Sequence, residues 1–127
     1  MVGGALRQAG IMAAAGLVAL ERMIDRLAED HRRATRIAEG LHAIDPRLTD
    51  PRLVETNIVM VEIGHTGADA KTWIAALEKQ GLRVGAWSRK SLRLVTHRHI
   101  DDAAVGRAVA IVRTVLSAIV QPVASRA

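Results

Sequence analysis

In residues 92–97, Leu92, Leu94 and Thr96 alternate with Arg93, Val95 and His97. A strand repeats every two residues, so this spacing puts Arg93 and His97 on one face and the leucines on the other, provided the strand runs that far. An arginine inside an otherwise apolar strand is costly to bury alone. A planar carboxylate gripped by both arms of the guanidinium would satisfy it. A solvent-facing place on a half-covered sheet, or an internal acid, would satisfy it too, and the residues leave these open.

A second cluster, Gly3, Gly4, Arg7 and Gln8, runs flexible backbone into the start of a helix. Amides at a helix N-terminus suit a phosphate, and Arg7 would add charge-assisted hydrogen bonds. An ordinary flexible helix start explains the same residues. Asn57, at the start of a strand, is either a turn-capping amide or an orienting polar group. Histidines are scattered at 31, 42 and 65, and His97 and His99 stand one residue apart. With no cysteine and no convincing carboxylate beside them, they define no metal site. Asp101 and Asp102 read as acids at a helix start, where the dipole favours their charged form, and not as an acid–base pair. Arg89, Lys90, Arg93, Arg98 and His99 form a local basic region that a charged turn and strand end mostly explain.

The elements that must position these residues follow from periodicity. Residues 5–20 are strong helix formers, apolar on nearly every side, so this helix requires cover from another subunit or domain. Residues 21–42 form an amphipathic helix with Ile24, Leu27, Ala28, His31, Ala34, Ile37, Ala38 and Leu41 on one stripe. Glu29 supports it from four residues before Arg33. A turn-rich connector with Pro46, Asp50 and Pro51 follows. Residues 57–63, NIVMVEI, predict a strand with both faces largely covered. Thr66 and Asp69 suggest a capping box for a helix bearing Ala70, Trp73, Ile74 and Leu77 and closed by Gly81. Two short strands, residues 82–87 and 92–96, flank a turn at 88–91. Asp101 caps a last helix with Val105, Ala108, Val109, Val112, Leu116 and Ile119 along one stripe. The order α-α-β-α-β-β-α makes an α/β protein, an α+β sandwich with a small antiparallel or mixed sheet covered by helices.

At 127 residues the chain has room for one domain and a real core. The absence of cysteine excludes disulfides and thiolate catalysis. Of 18 basic residues 15 are arginine, which favours planar carboxylate and phosphate recognition over diffuse charge. Residues 1–63 carry 8 basic and 9 acidic residues, and residues 64–127 carry 10 and 4, so an anionic partner suits the second half. Trp73 and Trp87 are the only aromatic residues of the Phe, Tyr and Trp set, poor material for stacking nucleic-acid bases. The most apolar run, residues 9–20, is too short to cross a bilayer, and no secretory pattern precedes it. The expectation is a soluble, cytoplasmic protein without membrane or nucleic-acid partners.

Four segments together, VGGALRQAGIMAAAGLVALE at 2–21, RLAEDHRRATRIAEGL at 26–41, VETNIV at 54–59 and LRLVTHRHI at 92–100, resemble the C-terminal part of the low-specificity threonine aldolases. These are PLP-dependent enzymes of the aspartate aminotransferase fold type that cleave β-hydroxy-α-amino acids to glycine and an aldehyde. The resemblance is thinnest at 64–87 and after Ala103. It implies that Arg93 clamps the substrate carboxylate, that Arg7 serves the phosphate of pyridoxal 5'-phosphate across a subunit interface, and that His97 and Asn57 support the site. Ala5 and Leu6 replace the family's usual Gly and Met, removing no functional group. The family's Schiff-base lysine, ring-stacking histidine and pyridine-holding aspartate belong to a large domain preceding this segment. Lys71, Lys79 and Lys90 do not lie in the matching context, so the resemblance assigns no catalytic residue to this chain and no tight PLP binding to it alone.

That resemblance divides the chain into an inter-domain or interface helix (1–22), a small C-terminal α/β domain (23–121) and a flexible tail (122–127). It makes the chain a segment inactive by itself that needs the large domain or a partner chain and forms a homo-oligomer. Two other readings fit the residues. One is a non-enzymatic oligomerising domain that binds an anionic ligand, and the other a weak nucleic-acid-binding module.

Overall fold

The computed structural model describes residues 7–120. Four helices and three strands follow in the expected order: α1 (Ala9–Arg22), α2 (Leu27–Ile44), β1 (Ile58–Glu62), α3 (Ala70–Lys79), β2 (Gly85–Ser88), β3 (Ser91–Val95) and α4 (Asp102–Val120). Short 3-10 turns occupy Pro51–Leu53 and Gly64–Thr66. The Gly3 and Gly4 part of the proposed phosphate cluster and the tail at 122–127 lie outside the described residues.

The sheet is antiparallel throughout, in the order β1-β3-β2. A two-residue turn, Arg89 and Lys90, closes the β2–β3 hairpin. In the register of β1 with β3, Val59 faces Leu94 and Val61 faces Leu92, and all four are buried. The helices α2, α3 and α4 form a single layer over this face: α2 packs on β1, α3 on β2, and α4 against both helices. Trp73 and Leu77 of α3 and Ala34, Ile37, Ala38 and Leu41 of α2 complete the core with Val105, Val112, Val115 and Leu116 of α4. The cap of α3 is simpler than the expected box. Asp69 accepts from the Thr72 amide at 2.9 Å, whereas Thr66 gives its hydroxyl proton to the Ile63 carbonyl and accepts the Trp73 indole N–H at 3.1 Å. Gly81 ends the helix at φ +84°, a conformation that an L side chain disfavours. Asp101 caps α4 by accepting from the Ala104 amide.

Two expectations need correction. The strand β1 is covered on one face only: Ile58 is 38% exposed, because no second layer reaches the other side of the sheet. The amphipathic stripe of α2 does not extend to Ile24, Leu27 and Ala28, which are exposed: the chain bends at residues 23–26, and the apolar residues that α2 buries begin at Ala34. The stripe also missed Asp30. It is buried in the first turn of α2, where Arg26 grips it through two hydrogen bonds of 3.1 and 3.2 Å. Among the described residues, α4 and not α1 is the helix long and apolar enough to cross a membrane by length and composition. Its apolar stripe is instead packed against α2 and α3.

The crossing of α2 with α4 depends on Gly40. A Cβ there would meet the two methyls of Val109 at 2.7 and 2.9 Å. Valine has little freedom at χ1 to yield. Gly40→Ala gains roughly 1 kcal/mol of helix propensity and loses about 1–3 kcal/mol to overpacking. We expect a net loss near 1 kcal/mol in urea unfolding, recovered when Val109→Ala is added; an unchanged or raised midpoint for the single variant would refute this packing.

The connector after α2 is held by charge. Asp45 accepts from the Arg47 backbone amide and from its guanidinium at 2.8–3.0 Å, and meets His65 Nε2 at 3.1 Å. Arg47 holds the Asp45 carboxyl well below the usual carboxylate range, against the opposing effect of burial. Asp50 repeats the device, lowered to about 2 by Arg52. A carboxylate with a depressed folded-state pKa stabilises above its unfolded value, near 4, and that contribution disappears as pH falls through the folded value. Asp45→Asn therefore destabilises the fold at neutral pH, and its unfolding midpoint converges on that of the parent as pH falls below about 4. A gap that stays constant with pH would show that the charge on Asp45 is irrelevant.

Candidate functional site

Antiparallel pairing fixes Arg93 at the centre of the sheet. It lies opposite Met60 of β1 on one side and Gly85 of β2 on the other. Its neighbours along the strand, Leu92 and Leu94, point into the core, so its own side chain emerges on the bare face. That face carries Ile58, Met60, Val95 and Trp87, with Glu62 at its margin. Trp87 is 64% exposed. The Arg93 guanidinium carbon lies 5.9 Å from the centroid of its ring, within cation–π range. Every acid in an ion pair among the described residues is taken by another cation, and Arg93 has no carboxylate partner there. Of the three ways to satisfy this arginine, the internal acid is eliminated.

The strand does not carry His97 along with Arg93. β3 ends at Val95, and its last backbone bond to β1 runs from the Thr96 amide to the Asn57 carbonyl at 2.9 Å. Beyond it the chain turns: the Ile100 amide bonds the His97 carbonyl, and His97 Nδ1 accepts from the His99 amide at 3.3 Å. His97 lines a cavity of about 390 Å³ between the segment at 81–83 and the first turns of α4, together with Arg83, Leu94 and Arg107. Arg93 does not border that cavity.

Asn57 is tied to the end of the strand pair. Its side-chain amide donates to the Thr96 carbonyl at 2.7 Å. The buried Thr96 hydroxyl in turn donates to the Asp30 carbonyl at 2.6 Å, joining the end of β3 to the first turn of α2. Arg7 is exposed just before α1 and makes no ion pair with a described residue. The structure thus brings Asn57 and Thr96 together, holds Arg93 a short step along the same strand, and leaves Arg7 apart from them. Asp102 is engaged by Arg33 at 3.1 Å and Arg36 at 3.0 Å, and the Arg33 hydrogen bond lowers its pKa. The nearby Arg36 charge adds to that lowering, and desolvation opposes it. Among the described residues no group of histidines and acids is arranged to hold a metal ion.

Comparison with known proteins places the chain in a family. The Beta-eliminating lyase profile matches residues 1–66, half of the chain. The chain belongs to this family. It is 36% identical over 105 residues to the probable low-specificity L-threonine aldolase 2 of Arabidopsis thaliana, covering 82% of this chain and 30% of that protein. It is 41% identical over 70 residues to the low specificity L-threonine aldolase of Escherichia coli strain K12, covering 55% of this chain and 20% of that protein. An aldolase of Penicillium aethiopicum is 38% identical over 109 residues, 84% of this chain and 26% of that protein. The chain thus spans less than a third of the length of these relatives.

Sequence reasoning missed Trp87 as a member of this face. Its place there follows from the register shift between Ala86 and Ser88, which the residue pattern does not announce. For Asn57, we expect Asn57→Ala to cost about 1 kcal/mol, one net hydrogen bond. Asn57→Asp should cost more, because a carboxylate cannot donate and sets its charge against the Thr96 carbonyl. Urea unfolding checks the order; equal midpoints for both variants would rule out the donated bond.

Proposed function

We propose that this chain is the small-domain segment of a threonine-aldolase-like, PLP-dependent carbon–carbon lyase of cytoplasmic amino-acid metabolism. In this reading Arg93 binds the α-carboxylate of a β-hydroxy-α-amino acid, and the products are glycine and an aldehyde. The observation that carries it is an arginine without a carboxylate partner among the described residues, fixed by two flanking strands at the centre of a bare sheet face. A guanidinium in that setting offers a rigid, bidentate donor set to one planar anion. Kinship with threonine aldolases supports the choice of substrate class.

The residues described here do not build a PLP cradle. Lys71 and Lys79 are exposed residues of α3, and Lys90 lies in the hairpin turn with its stem against Gly64. None shares the face of Arg93. A lysine to carry the cofactor must come from a large domain or partner chain, and Arg7 would meet the phosphate only across such a contact. Two bare surfaces support the need for that partner. The helix α1 buries none of its residues, with Ile11 at 72% and Leu20 at 66% exposed, and the Arg93 face has no second layer. We therefore assign residues 1–22 to the interface and 23–121 to the small domain, and expect a homo-oligomer without activity of the isolated chain.

Arg93 performs two tasks in this scheme. It neutralises the carboxylate, and by gripping both oxygens it fixes the rotation of the amino acid about Cα, which decides which bond is aligned to break. A lysine keeps the first and loses the second. In the assembled enzyme we expect Arg93→Lys to lower kcat/KM for L-threonine about 10- to 100-fold, the loss of a charge-assisted hydrogen-bond pair. The bare apolar surfaces also fit a non-enzymatic oligomerising module. A change below about threefold would remove Arg93 from substrate binding, and an assembly that does not turn over L-threonine at all would favour that module over the aldolase.

A further inference from the structure

We propose that Trp87 is a positioning residue for Arg93, holding the guanidinium over its indole ring so that the donor fork stays presented to a planar carboxylate; this rests on the reading of Arg93 as the carboxylate clamp. The two tryptophans differ sharply. Trp73 is fully buried, and its indole N–H is taken by Thr66. Trp87 is largely exposed, and it donates no hydrogen bond among the described residues. It therefore adds little to the core, and its close described partner of opposite character is the Arg93 cation.

The hairpin is built to put the indole there. Gly85 faces Arg93 and Ala86 faces Leu92, but Ser88 instead of Trp87 faces Ser91, so Trp87 is the extra residue of a bulge. Bulges re-aim side chains, and this one is pinned at its far side. The Ser88 and Ser91 hydroxyls lie 2.6 Å apart, and the Lys90 amide donates to Ser88 Oγ at 3.0 Å. Gly85 has an ordinary φ, and a Cβ there would meet only the Arg93 carbonyl oxygen at 3.8 Å. Its lack of a side chain is thus not demanded by the backbone, and it leaves open space over the Arg93 backbone on the β2 side. A cation–π contact uses the ring face and none of the five N–H donors of arginine, so it restrains the side chain while leaving the fork free. An arginine on an open face without such a flank would have to be ordered by the substrate itself.

The test uses the 127-residue chain with nitrogen-15 in its arginine and tryptophan side chains, titrated with acetate and with L-threonine and followed by NMR. The Arg93 Nε–H and Trp87 indole N–H signals should move together with one dissociation constant. Trp87→Leu should weaken acetate binding about two- to fivefold. Trp87→Phe, which keeps a ring, should stay within about twofold of the parent. Thermal melting should not change in either variant, since the residue is exposed. If Arg93 responds but Trp87→Leu binds as the parent does, or Trp87→Phe is as weak as Trp87→Leu, the positioning role is overturned and the clamp stands. If Arg93 does not respond in the parent chain, the clamp reading falls and the role of Trp87 falls with it.

Discussion

The structure depends on a sheet of three strands covered on one face only. The central strand β3 is shared by both neighbours, so its side chains have no choice of direction. Leu92, Leu94 and Thr96 are drawn inward by the layer of α2, α3 and α4. Burying the inward set forces Arg93 and Val95 outward, because a slip of one residue would reverse both sets at once and place a guanidinium in the core. The position of the candidate site is therefore a by-product of core packing. The same leucines that hold the helices also aim the arginine away from them.

The ends of this strand pair are held by polar groups, not by further apolar contacts. Thr96 is the last inward residue, and a buried hydroxyl there requires an acceptor. The carbonyl of Asp30 supplies it, while Asn57 takes up the Thr96 carbonyl. Asp30 can hold that place because Arg26 neutralises its carboxylate from one helical turn before. A chain of contacts thus runs from Arg26 through Asp30 and Thr96 to Asn57. It fixes the end of β3 relative to α2, and with it the ladder that carries Arg93. Asn57 and Thr96 act on the arginine through the backbone, without touching it.

Much of this was legible in the sequence, for identifiable reasons. Period-two alternation gave the direction of Arg93, and Gly81 and Asp101 marked helix ends through backbone geometry that other residues avoid. The pairing of Asp69 with Thr72 rather than Thr66, and the bend that removes Ile24 and Leu27 from the core, were not legible. Both depend on which of two equivalent local hydrogen-bond or packing partners tertiary structure makes available. The strand at 57–63 looked covered on both sides because Ile58 and Met60 are as apolar as Val59 and Val61. Nothing in a β-branched run distinguishes a face buried in its own domain from one that waits for another surface. The burial of Asp30 was hidden for the opposite reason. An acid reads as exposed until its partner, here four residues away, is placed in space.

The bare face and the bare helix α1 bear on each other. An apolar surface that includes an arginine is a poor place for a purely hydrophobic contact, because covering it without an acid would strand a buried charge. Any surface that closes over Ile58, Met60, Val95 and Trp87 must therefore bring an anion to Arg93 or leave a pocket around it. By contrast α1 carries no charge between Ala9 and Leu20, so it can be covered by apolar side chains alone. The two surfaces thus make different demands, one for tight apolar packing and one for a cavity with a single fixed cation. Under the proposed reading, that division suits an enzyme's small domain: the helix would weld it to a neighbour, and the sheet face would meet a neighbour across a space for a carboxylate-bearing substrate.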